Sequence, residues 1–120
     1  MMHYTTFFSR LRQFMSGTKS HARVQPVMVM GERTGYVFFC PGCERNHFFP
    51  TTVSDAEGRR WIFNGDVVRP SFTPAQRMEY EYEDRRSDVC HLWVSHGMLD
   101  FLDDCTHRLR GKIIPMREIS

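Results

Sequence analysis

The sequence has no apolar run approaching the ~18 residues that a membrane-crossing helix requires. No secretory leader is read at its start, because Arg10 and Arg12 interrupt "MMHYTTFFSRLRQFM" and no small-residue cleavage site follows. Net charge is only +2 over 120 residues, too little to argue for a nucleic-acid partner on electrostatics alone. The common catalytic signatures are also missing: there is no H-E-x-x-H, no G-x-S-x-G and no glycine-rich phosphate loop. A zinc deaminase would pair H-x-E with P-C-x-x-C, but no H-x-E occurs and Phe39, not proline, precedes Cys40. No internal repeat or low-complexity tract appears. These absences leave a chain of ordinary composition, 41% hydrophobic and 25% charged, expected to fold as one domain in a reducing cytoplasm. In that compartment paired cysteines read as metal or redox chemistry before disulfides.

What is present divides the chain in two. Tyr4, Phe7, Phe8, Leu11, Phe14 and Met15 recur at helical spacing, with Thr5 or Thr6 able to cap, so an amphipathic helix is expected over residues 4–16. "SGTKSHARVQP" then reads as a connector, so residues 1–22 form one unit and 23–120 another. In the second unit "VMVM", "YVFFC" and "RRWIFNGDVV" are β-branched and aromatic, punctuated by "GERTG", "CPGC" and "NG". "RPSFTP" is expected to be extended, because proline disfavours helix at the preceding residue. "RMEYEYED" alternates, placing Met78, Tyr80 and Tyr82 on one face of a strand. His96-Gly97 divides two apolar arms and predicts a hairpin turn; "THRLRGKIIP" predicts a turn and a last strand. The fold class is therefore mostly β: a small antiparallel domain with a zinc-ribbon-like knuckle, preceded by one α-helix. Trp61, Phe63 and Phe72 read as core rather than as a binding platform.

Cys40 and Cys43 have the C-x2-C spacing of a metal knuckle, with Pro41 stiffening the turn and Gly42 keeping it tight. Cys90 and Cys105 lie at the two ends of the predicted hairpin, which returns both toward one edge. A redox pair is disfavoured, since "ERNHFFP" is a poor helix and a redox C-x-x-C wants a helix N-terminus to lower its thiol pKa. The candidate metal ligands are thus Cys40, Cys43, Cys90 and Cys105, with His91 or His107 as an alternative fourth donor and zinc as the metal. Cys90 and His91 are neighbours in a strand and face opposite sides, so only one of them is expected to reach the ion. His47 reads as a surface or supporting histidine. Four protein ligands make a closed site, which is structural. No catalytic residues are assigned, although "DDCTH" keeps a zinc-dependent hydrolase built on Asp104 and His107 as an alternative.

With "FFCPGC", "WIFNGDVVRPSFTP" and "VCHLWVSHGMLDFLDDCTHRLRGKIIPM" in this order, residues 36–116 resemble a family of small bacteriophage and prophage proteins often labelled ammonia monooxygenase. The family pattern is C-P-G-C, then W-x-W-N-G with P-T-F-S-P, then C-H-x-F-x-x-D-G with D-C-T-H-x-L-x-G. This chain departs from it at Ile62-Phe63, at Trp93, and at Ser95-His96-Gly97, where D-G is usual. The resemblance implies a phage origin and metal binding by the shared cysteines and histidines, and implies no activity. The resulting expectation is a phage-encoded zinc-binding accessory protein, an interaction module for a host or phage protein in the cytoplasm of an infected bacterium. A nucleic-acid-binding module is the remaining alternative. It rests on Arg10, Arg12, Lys19, Arg23 and Arg33, and is weakened by the acidic run Glu79, Glu81, Glu83, Asp84 and Asp88.

Overall fold

The computed structural model describes residues 21–119. Within them the chain forms two antiparallel sheets and no helix. The first sheet has the order β1(Gln25–Val29), β2(Glu32–Cys40), β3(Arg45–Pro50). The second has β4(Ile62–Phe63), β5(Phe72–Glu81), β6(Ser87–Ser95), β7(Met98–Phe101) and β8(Ile113–Pro115), also in chain order. The mostly β expectation holds for these residues. The helix expected at 4–16 lies outside the described residues.

Local sequence explains the hairpins. Met30-Gly31 and His96-Gly97 each place two successive residues at positive φ, 51° and 80° in the first, 52° and 79° in the second. Two such residues match the right-handed twist of the flanking strands, and glycine supplies the second at no steric cost. "RRWIFNGDVV" yields only a two-residue strand, because Asn64 commits its side chain to the loop that follows. Its Oδ1 accepts from the amides of Asp66 and Ser71, both at 3.1 Å, and its amide donates to Arg69 O at 3.0 Å.

The two sheets meet through aromatic rings. Phe49 of β3 stacks on Phe72 of β5 with centroids 4.3 Å apart and planes 4° from parallel. Phe63 lies 4.8 Å from Phe72, and Tyr36 of β2 lies 4.3 Å from Phe63. Phe38, Trp61, Leu92, Val94, Leu99 and Phe101 complete the buried interior, so Trp61 and Phe72 are core. Fully burying each such ring contributes on the order of 2–3 kcal/mol. Burial in β6 alternates: Cys90, Leu92 and Val94 are buried, while Trp93 and Ser95 are exposed and His91 is half-buried. That alternation sets what each face of the second sheet carries. One face is the core and the other is open to solvent.

Candidate metal centre and a histidine–aspartate pair

Cys40 ends β2, and Cys43 sits in the turn that leads to β3, closed by a 2.8 Å bond from Glu44 N to Cys40 O. Cys90 faces inward from β6, and His107 comes from the turn after β7. One donor atom from each of these four residues lies within 4.8 Å of the others, a group able to hold a metal ion. The centre joins the first sheet to the second at the end of β2. Cys40 and Cys90 are fully buried, while Cys43 and His107 are half-buried. The edge of the Phe101 ring meets the His107 ring at 4.7 Å and fixes its plane.

Crowding three sulfurs together splits their acidities. Hydrogen bonds from Cys43 and then Cys90 hold the Cys40 thiol far below its usual range. The same contact with Cys40 pushes Cys43 up to about 12, and contacts with Cys40 and Cys43 raise Cys90 as well. Without metal the three sulfurs therefore share one negative charge. A soft divalent cation relieves this by displacing the remaining protons. Burial lowers the His107 pKa, keeping its imidazole neutral, the form that ligates.

His47 backs the centre. It is fully buried, its Nε2 lies 3.4 Å from Cys43 Sγ, and its Nδ1–H donates to Gln76 Oε1 at 2.8 Å. The Gln76 amide donates in turn to Phe48 O at 2.8 Å. This chain of bonds orients the ring in the way that outer residues orient metal ligands. Gln76 is a site residue that its sequence context did not flag.

The five residues nominated from sequence thus divide. Cys40, Cys43 and Cys90 converge, and the fourth donor beside them is His107. Cys105 is buried but turned onto the β6 backbone: its Sγ donates to His91 O at 3.2 Å and accepts from His91 N at 3.2 Å. Burial pushes the Cys105 thiol up, so it remains a neutral thiol. His91 follows Cys90 by one residue and faces the other side of the sheet, where its Nδ1 lies 3.0 and 3.1 Å from the two Asp104 oxygens. The hydrolase arrangement pairing Asp104 with His107 is absent, because the "DDCTH" turn sends His107 to the sulfurs and Asp104 to His91.

The His91–Asp104 pair lies on the open face. The His91 contact is the first cause holding the Asp104 carboxyl below the usual carboxylate range, with Arg77 a lesser one, its Nε 3.6 Å away. An ionised carboxylate on Nδ1 fixes the imidazole tautomer and leaves Nε2 as the basic nitrogen, the arrangement of a general base.

Gly42 ties the knuckle to its fourth donor, since a Cβ there would run into the His107 ring. Gly42→Ala is expected to push His107 off the sulfurs and weaken metal binding by roughly 10–100-fold, the size of orientation losses at metal sites. Competition with a chromogenic chelator measures this. Unchanged affinity would show that His107 is not a ligand.

Residues 14–102, about three quarters of the chain, match the family described as bacterial ubiquitination-like system serine protease (BubE). No curated protein and no solved structure matches. The family match overturns the expectation of a phage accessory module acting through a host or phage protein. It points instead to a protease-like function within a bacterial system. Among the described residues no helix is long and apolar enough to cross a membrane.

Proposed function

The chain belongs to the family of bacterial ubiquitination-like system serine proteases, and on that premise we propose that it hydrolyses an acyl bond at the C-terminus of a ubiquitin-like protein. His91 is the general base and Asp104 its orienting acid. The observation that carries this reading is the pair of 3.0 and 3.1 Å contacts between His91 Nδ1 and the Asp104 carboxylate on the open face. His91 Nε2 takes the proton of an attacking hydroxyl and returns it to the leaving amine or alcohol. Asp104 stabilises the imidazolium formed between those steps.

The metal in this reading is zinc with a structural role. Three thiolates and one imidazole suit its tetrahedral preference, and four protein donors leave no position for a reacting water. When bound, it cross-links the two sheets and holds β6, and with it His91, in place.

Intact-mass measurement tests the proposal, using purified protein and a bacterial ubiquitin-like protein extended at its C-terminus by a short peptide. Cleavage at the junction is expected, at the same rate whether the centre is loaded with zinc or cadmium. No cleavage by folded, metal-loaded protein would refute the activity. A rate that changes with the metal would refute the division of labour.

A further inference from the structure

A serine protease needs a hydroxyl within reach of its histidine, and the described serines fall short. Ser87 and Ser95 each lie four residues from His91 along β6, about 13 Å away at strand rise. Ser71 Oγ accepts the His96 amide at 2.8 Å, and Ser95 Oγ lies 3.0 Å from His96 Nδ1, a ring with no carboxylate partner among the described residues. Ser54 belongs to the loop between β3 and β4.

A different hydroxyl occupies the right position. Phe72 pairs with Val94 and Gln76 with Leu92, so Thr73, Pro74 and Ala75 bulge opposite Trp93 alone. Phe72 and Gln76 are both buried, and Thr73, next after Phe72, is exposed on the open face that carries His91 and Trp93. The Phe72–Val94 pairing sets Thr73 opposite Trp93, two residues along β6 from His91, and so diagonally across from His91 on the adjacent strand. Diagonal neighbours have Cβ atoms about 7–8 Å apart, a gap that an imidazole and a hydroxyl together span. Asp104 follows β7 in the chain, and its carboxylate lies 3.0 Å from His91 Nδ1 and 3.6 Å from Arg77 Nε. The Asp104 contact occupies His91 Nδ1 and leaves Nε2 as the ring nitrogen free to take a proton. The Thr73 hydroxyl makes no side-chain hydrogen bond among the described residues. Its flanks are apolar and open: Ile62, its Cα partner on β4, is 74% exposed and Trp93 is 39% exposed.

We propose that Thr73 supplies the nucleophile that His91 activates, a threonine doing the work of the serine. This deepens the hydrolase reading and rests on it. Thr73 Oγ1 attacks the scissile carbonyl carbon as its proton passes to His91 Nε2. The bond to the leaving group breaks as His91 returns that proton, leaving a threonyl ester. Water then attacks the ester carbon and gives a proton to His91, which passes it to Thr73 Oγ1 as the acid product leaves. Ile62 and Trp93 give the acyl side of an extended peptide an apolar surface.

The test uses full-length, metal-loaded protein with a ubiquitin-like protein carrying a C-terminal fluorescent peptide, together with a fluorophosphonate probe mapped by peptide mass spectrometry. The probe adduct is expected on Thr73. Thr73→Val keeps the shape and β-branching and removes the hydroxyl, so kcat/KM is expected to fall at least ~10^3-fold with an unchanged melting temperature. Thr73→Ser is expected to retain activity within about tenfold and to move the adduct to the new hydroxyl. An adduct on Ser71 or Ser95, or a Thr73→Val enzyme within about twofold of wild type, overturns Thr73 while leaving the hydrolase intact. Wild-type protein that neither cleaves nor takes the probe overturns both.

Discussion

Cys40→Ser is expected to lose the metal and, with it, the cooperative thermal transition of the domain. Cys40 is fully buried at the point where the first sheet meets the second, and its thiolate is the one favoured by both neighbouring sulfurs. Structural zinc contributes about 10–16 kcal/mol in small sites, against a net stability of about 5–15 kcal/mol for a whole domain. Removing one of four donors therefore takes away an amount comparable with everything that holds the fold. Cys105→Ser provides the contrast. Its thiol bonds the His91 backbone and lies outside the four-donor cluster, so the metal should remain, with stability lowered by about 1–3 kcal/mol from a disturbed buried hydrogen bond. Metal content by mass spectrometry and a thermal melt read both outcomes. Metal affinity should also fall with pH, roughly tenfold per pH unit for each proton displaced. Cys43, pushed up to about 12, and the raised Cys90 hold those protons in the metal-free state. A Cys40→Ser protein that melts like wild type, or a Cys105→Ser protein that comes out metal-free, would show the ligand set to be wrong.

The fold was legible wherever two-residue alternation or turn chemistry fixes a conformation. His96-Gly97 reads as a hairpin because glycine takes the positive φ, and Met78, Tyr80 and Tyr82 share a half-buried face through strict alternation. The same period separates Cys90 from His91, one toward the sulfurs and one toward Asp104. What spacing does not convey is where a turn aims its side chains. Cys105 and His107 lie two residues apart in a loop, and tertiary packing chooses between them as donor: Phe101 meets the His107 ring while the His91 backbone holds the Cys105 thiol. The bulge between Phe72 and Gln76 hid more. It adds two residues to β5 against β6, so the inward–outward alternation resumes in the same phase while the cross-strand pairing shifts. Gln76 lies inward on His47 and Thr73 outward in the segment expected to be extended, but which β6 residues they oppose is set by the pairing and not by the alternation. Apart from the knuckle, each feature on which function rests is a contact between residues distant in sequence.

The same alternation couples the two halves of the site. Because Cys90 and His91 are consecutive, the residue that anchors the metal also sets the position of the base, and loss of metal should abolish activity without metal taking part in the chemistry. Asp104→Asn separates the two effects. Asp104 is about half exposed, lies outside the metal cluster, and among the described residues its side chain contacts His91 and Arg77, so metal content and melting temperature should barely change. An asparagine there can offer its amide to Nδ1, which favours the tautomer with its proton on Nε2, where the base must be free. The loss of kcat should approach the roughly 10^4-fold seen when the acid of a Ser-His-Asp triad is made an amide, with KM nearly unchanged. Asp104→Glu should recover part of the rate by restoring the charge at a shifted position. The sign with pH follows from the lowered Asp104 pKa: the carboxylate stays ionised at neutral pH, and the orienting contact is lost only as pH falls through its depressed value. A fully active, folded Asp104→Asn enzyme would remove Asp104 from the mechanism and leave His91 a surface histidine. A loss accompanied by lost metal would mean that the pair serves the fold and not the reaction.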